Sequence, residues 1–222
     1  MTPLAQLLEW LGRAGHRNIV ILDNRSTYPP LLRFFERLSG VRLVRLADNL
    51  GHMALWRSGA LTQLGIETPF VYTDPDIVPD AGCPLDAVDH FARLLLRHGG
   101  PAKVGFGLKI DDLPDHYRHK QEVIDWESQY WAAARQIRPG EYWAQIDTTF
   151  ALHTPQAPYD VPGIRTGPPY VARHLAWYAD SADPDEEERY YRAHASPSVT
   201  TWTGAALREE MTAKIRRLRE RG

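Results

Sequence analysis

The chain has 222 residues, 26 of them basic and 28 acidic, for a formal net charge of −2 with histidine neutral. That balance supplies no bulk field for nucleic acid, and the length suits one large domain or two small ones around a substantial core. A single cysteine, Cys83, excludes an intrachain disulfide framework and a multi-cysteine zinc site, and fits a reducing compartment.

No apolar run approaches the 18 residues of a membrane span. The opening MTPLAQLLEWLGRAG lacks the basic start and apolar centre of a signal peptide, so a cytoplasmic protein is expected. Leu4, Leu7, Leu8 and Leu11 recur at helical spacing and predict a first amphipathic helix, closed by Gly12 to Gly15. Asn18 to Asp23 carries a continuous β-branched and apolar run, the pattern of a strand buried on both faces in a parallel sheet. It ends in a polar turn, Asp23-Asn24-Arg25-Ser26-Thr27.

Pro29 and Pro30 open a helix through Leu38, and Val41 to Leu46 predicts a second strand ending near Asp48, Asn49 and Gly51. A helix over 52–64 leads to a third strand, Phe70 to Thr73, which ends in Asp74-Pro75-Asp76. Two carboxylates one residue apart at the end of a buried strand are costly to keep unless something binds them. Hard Mg²⁺ or Mn²⁺ suits them, because these cations take carboxylate oxygens and share them with phosphates. Ordinary turn chemistry is the alternative reading of Asp-Pro-Asp, as capping is for Asp23 and Asn49. Three successive strands ending in polar, acid-bearing loops favour a site, since ligands in α/β sheets collect beyond the carboxyl ends of the strands.

Val88, Phe91, Ala92, Leu95 and Leu96 predict a further helix stripe. In the strand Lys103 to Ile110, one face carries Lys103, Gly105, Gly107 and Lys109, leaving room for a ligand or for another backbone. Over 120–138, a helical wheel gathers Val123, Trp126, Tyr130, Ala134 and Ile137 on one face, with Glu127 among them and Asp125 opposite, towards solvent. Desolvation would raise the pKa of Glu127 and suit it to acid–base work; pairing with an arginine is the structural alternative. Tyr142 to His153 predicts a strand with Asp147 in its middle, either in a buried network or lining a pocket. His174 is a candidate third metal ligand. Asp180 to Glu188 is an acidic run, and the C-terminal helix carries Leu207, Met211, Ile215 and Leu218 in a stripe ringed by Arg and Lys. Docking on the domain, or attraction to anionic lipid at the inner face of a membrane, are its two readings.

Taken in order, these features resemble a glycosyltransferase of the GT-A fold, near the family 2 type, over about residues 17 to 178. The resemblance implies one α/β, Rossmann-like domain over residues 1–180, with a mixed, mostly parallel sheet flanked by helices. Its nucleotide-binding half would span 17–80 and its acceptor half 100–180, with 181–222 packed on or beside it. Asp23 in VILDNRST would hold the nucleobase, with Asn24 and Arg25 in the same turn, and Asn49-Leu50-Gly51 matches the Asn-x-Gly after the second strand. Asp74-Pro75-Asp76 matches the Asp-x-Asp motif, so Asp74 and Asp76, with His174, would hold Mn²⁺ or Mg²⁺ on the donor diphosphate. Arg25 or Arg165 would add charge on the phosphates. Glu127 is the best counterpart of the catalytic base. The sequence has Asp-Asn where Asp-Asp is common and lacks the Glu-Asp pair on the acidic helix, so Asp147 and Asp125 are rival bases. The implied partners are a nucleotide-diphosphate sugar and a saccharide, glycolipid or other hydroxyl acceptor, with no nucleic acid. A sugar-phosphate nucleotidyltransferase and a non-catalytic nucleotide-sugar binding module are the alternatives.

Overall fold

A computed structural model describes residues 2–155, 158–195, 202 and 207–220. The chain is α/β, with a mixed sheet flanked by helices. Helix α1 (Thr2–Arg13) precedes strands β1 (Ile19–Asp23) and β2 (Val41–Arg45), which enclose α2 (Pro29–Arg37). Two one-turn helices, α3 (Ala54–Arg57) and α4 (Ala60–Gln63), lead to β3 (Phe70–Tyr72) and β4 (Ile77–Pro79). Then come α5 (Ala87–Arg97), β5 (Lys103–Leu108), α6 (Lys120–Trp131), β6 (Gln136–Arg138), β7 (Glu141–Ala144), β8 (Ala151–His153) and β9 (Gly163–His174). Helices α7 (Glu186–His194) and α8 (Glu209–Arg219) follow.

The sheet departs from the expected parallel plan. β1 and β2 are parallel but form a two-stranded sheet of their own among the described residues. The remaining seven strands run β3-β8-β5-β9-β7-β6, with β4 also on β9. Only β5 and β9 are parallel there; the other pairings are antiparallel. Nor is the β1–β2 pair buried on both faces, since Val20 is 38% exposed and the β2 arginines Arg42 and Arg45 face out. β3 takes its ladder from β8, not from β1. Side chains tie the segment after β2 to β3: Tyr72 donates its hydroxyl to the His52 carbonyl at 3.0 Å, and Trp56 of α3 packs edge-on against Tyr72.

The core lies where α1 and α5 meet β5. Trp10 of α1 meets Phe150 edge-on, and Phe91 of α5 packs against Phe106 and Phe150. The α5 stripe is Ala87, Phe91, Leu94 and Leu95; Leu96, expected inside, is 84% exposed. Five residues beyond Phe91, Leu96 is turned about 140° from it on a helix of 100° per residue. β5 is buried along its whole length. Its glycines make room for protein, not ligand: a Cβ on Gly105 would stand 2.6 Å from that of Ala151, and one on Gly107 would stand 2.5 Å from the Trp131 ring.

Three predicted elements are cut short. The helix over 52–64 breaks where Gly59 turns to φ 72°, a conformation glycine adopts freely. The helix over 120–138 stops at Trp131, and Ala134 and Ile137 are exposed beyond it. The strand over 142–153 is two strands, β7 and β8, so Asp147 stands exposed in the connection between them. Helix α8 docks on α6 through Arg219, which bonds Asp125 from Nε at 2.7 Å, so Asp125 faces the C-terminal helix rather than solvent. Among the described residues no helix is long and apolar enough to cross a membrane.

His153 of β8 is 2% exposed, stacked on Phe70, and its Nε2 has no hydrogen-bond partner among the described residues. Burial, aided by the Lys103 charge, pushes its pKa down to about 4. An imidazole held neutral in the fold but free to protonate when unfolded contributes stability above pH ~6.5 that is lost as pH falls towards 4. The loss is about 3 kcal/mol. Urea unfolding at pH 7 and pH 4.5 should therefore show a smaller acid-induced drop in His153→Phe than in the parent; equal drops would count against this account.

Candidate active site

The Asp74-Pro75-Asp76 turn is held from two sides. The amide of Asp74 donates to the Thr148 carbonyl at 2.7 Å, and the Thr148 hydroxyl donates to Asp74 Oδ2. On the other side the Leu175 amide donates to the Asp76 carbonyl at 2.8 Å, and His174 Nε2 meets Asp76 Oδ2 at 3.0 Å. Thr148 enters from just before β8, and His174 ends β9. The turn thus spans from one flank of β5 to the other.

The two carboxylates differ. Asp74 is half-buried and has no ion-pair partner among the described residues; burial, then the charge of Asp76, raises its pKa to about 7. For Asp76, burial works against ionisation, but the His174 charge and hydrogen bond outweigh it and lower the pKa. Burial likewise opposes the charge on His174, yet Asp76 and then Asp74 lift its pKa. His174 thus stands beside Asp76 as its hydrogen-bond and electrostatic partner, at the edge of the pair of carboxylates. No group of three or more His, Cys, Asp or Glu among the described residues is arranged to hold a metal. The donor set fits a cation that draws most of its ligands from phosphate and water, as Mg²⁺ does, with Asp74 and Asp76 as the protein oxygens.

Glu127 is 4% exposed, and Arg165 Nη1 meets its Oε2 at 2.6 Å. The Arg165 guanidinium also lies 4.3 Å over the Tyr130 ring. Of the two expected roles, pairing with arginine is the one realised, and it leaves Arg165, 2% exposed, unavailable to a ligand at the surface. Asp125 is engaged by Arg219 and by Gln121 at 2.8 Å. Asp147 is the exposed one of the three rivals. It accepts from the Tyr159 hydroxyl, and it lies next in the chain to Thr148 on Asp74.

The turn after β1 is largely self-contained. Asp23, 3% exposed, accepts from the Ser26 amide at 3.1 Å and from Arg45 Nε at 2.9 Å. Asn24 clasps the loop after β2, accepting from the Leu50 amide at 2.7 Å and donating to the Gly51 carbonyl at 3.0 Å. Asn49 accepts from the Gly51 amide at 3.0 Å, a local turn bond. Arg25 sits at φ 65°, with its side chain 65% exposed and 3.6 Å from Asp48. The strand-end loops are thus bound together, 24 to 51 and 52 to 72, while Asp23 and Asn49 spend their polar atoms on loop structure. Sequence reasoning missed Thr148 and Tyr159. The Thr148-Thr149 pair in a strand-like stretch gave no chemical cue, and Tyr159 lay in a proline-rich loop.

The raised pKa of Asp74 fixes a sign. A carboxyl that titrates near 7 in the fold but near 3.9 when unfolded weakens the cation-free protein as pH rises through that window. Asp74→Asn removes the buried charge. The gain in melting temperature over the parent in excess chelator should be larger at pH 8 than at pH 5, where only about one of the roughly three pH units of that window has been crossed. An Asn variant whose gain is no larger at pH 8 than at pH 5 would refute this electrostatic reading.

A scan of protein-family models and a search of curated proteins both find no match to this chain.

Proposed function

We propose that the chain is a metal-dependent glycosyltransferase of GT-A type, moving a sugar from a nucleotide-diphosphate sugar to an acceptor hydroxyl. The observation that carries this reading is the turn at Asp74 and Asp76. It holds two neighbouring half-buried carboxylates, one without a counter-ion among the described residues, with a third carboxylate, Asp147, exposed close by. Carboxylates kept close together against their mutual repulsion are the mark of a site that receives positive charge.

A divalent cation bound by Asp74 and Asp76 would neutralise the diphosphate as it leaves. The chain's own residues set the rest. Pro75 and the bonds from Thr148 and Leu175 hold the two acids in place. Asp147, not Glu127, is the base of this proposal. Glu127 is neutralised in a buried pair, whereas Asp147 is exposed to an incoming hydroxyl. In an inverting transfer the Asp147 carboxylate takes the acceptor proton as the hydroxyl oxygen bonds to the anomeric carbon. The bond from that carbon to the diphosphate oxygen breaks with its electron pair going to the phosphate.

A panel of UDP- and GDP-hexoses incubated with Mn²⁺ tests this. Nucleoside diphosphate should be released, the release should stop with chelator and in Asp76→Ala, and Asp147→Asn should lower kcat by about 10²- to 10⁴-fold. Pyrophosphate release from a nucleoside triphosphate and a sugar phosphate would point instead to a nucleotidyltransferase. Donor binding without turnover would leave a binding module.

A further inference from the structure

Lys103 opens β5 and is completely buried, yet among the described residues it has no carboxylate in ion-pair contact. Its ammonium donates to two main-chain carbonyls, those of Ile146 and Tyr159, each at 2.6 Å. It also lies 4.9 Å from the centre of the Tyr159 ring. The strand beside it yields space for it: a Cβ on Gly163 would stand 2.3 Å from the Lys103 carbonyl oxygen and 2.8 Å from its Cγ. Burying an ammonium against carbonyls alone is unfavourable, and an apolar side chain of similar length would fill the same volume without that penalty. Stability alone therefore does not account for a lysine here.

Its two bonds converge on one residue. Ile146 directly precedes Asp147, and Tyr159 donates its hydroxyl to the Asp147 carboxylate. Burial, reinforced by the Asp147 charge, raises the pKa of the Tyr159 hydroxyl, so it stays a donor. The ammonium grips the backbone just before Asp147 and the backbone of the residue that bonds its side chain. We propose that Lys103 is a positioning residue that fixes the exposed carboxylate of Asp147 by tying together the Ile146 and Tyr159 segments. The clamp deepens the reading of Asp147 as the base and rests on it for its catalytic meaning. The hydrogen bonds of Lys103 go to main-chain carbonyls, and the Asp147 charge favours its ammonium form without an ion-pair contact.

The test compares Lys103→Met, Tyr159→Phe, the double variant and Asp147→Asn, each as the full chain, with hydrogen exchange and UDP- or GDP-hexose hydrolysis under Mn²⁺ as readouts. In Lys103→Met, amides over 145–155 should exchange about tenfold faster while those of α5 keep their protection. In both single variants kcat should fall by roughly tenfold to a hundredfold with the donor KM nearly unchanged, as expected of a misplaced base. The double variant should be no slower than the slower single, because both changes act through one carboxylate. Unchanged exchange over 145–155 in a folded Lys103→Met overturns the clamp. So do single variants with parental kcat when Asp147→Asn is impaired. If Lys103→Met does not fold, Tyr159→Phe decides: a parental kcat there overturns the proposal, and a reduced kcat at unchanged KM supports it. A fully active Asp147→Asn removes Asp147 as the base, and no turnover of any donor sinks the glycosyltransferase reading instead. Exchange over 145–155 then decides the clamp by itself, faster rates supporting it and parental rates overturning it.

Discussion

The Asp74-Pro75-Asp76 turn joins β3 to β4, and those two short strands pair with different partners on opposite flanks of β5. β3 lies on β8 and β4 on β9, so the turn bridges the sheet where the chain changes sides. That crossing brings Thr148, from the approach to β8, and His174, from the end of β9, to the two acids in turn. Neither contact can form unless both antiparallel ladders are in register, because a slip of one residue reverses every side chain on a strand. The site and the sheet are therefore one structure.

Charge is distributed through the interior as pairs and isolated cations with different purposes. Glu127 and Arg165 neutralise each other beneath α6, with Tyr130 covering the guanidinium. Glu141, also buried, takes Arg97 at 2.7 Å and His98 at 2.6 Å and so fastens the end of α5 to β7. Such pairs add little net stability over apolar packing but are costly to break singly, so they act mainly to fix orientation. Lys103, with no carboxylate in contact among the described residues, differs from them, and its two carbonyl partners both border Asp147.

The C-terminal third belongs to the same framework. Tyr190 of α7 packs on Tyr28 and donates to the Thr27 hydroxyl at 3.0 Å, which covers the turn after β1. The acidic run before and within α7 is partly capping chemistry: Asp185 accepts from the Glu188 amide at 2.8 Å, and Asp180 accepts from that of Ala182 at 2.8 Å. In α8, Ile215 is buried and Arg219 is spent on Asp125, so the helix docks on α6, the first of its two expected readings.

The local pattern was enough to place α1, β1, α2, β2, β5 and the Asp-Pro-Asp turn, because each is set by side-chain periodicity or by proline and glycine within a few residues. It also marked Glu127 as an acid among aromatics and offered an arginine partner as one of its fates. It could not pair the strands. The apolar run of β1 promised a parallel sheet buried on both sides, yet long-range ladders joined β3 to β8 and left β1 with β2 alone among the described residues. Nor could it separate three rival carboxylates. Asp125 lies 94 residues from Arg219 and Glu127 lies 38 from Arg165, and only the fold brings each to its cation and leaves Asp147 exposed. Periodicity along a chain reports which face a residue takes; what stands opposite that face is decided by contacts between distant segments, which burial and electrostatics select only in the assembled structure.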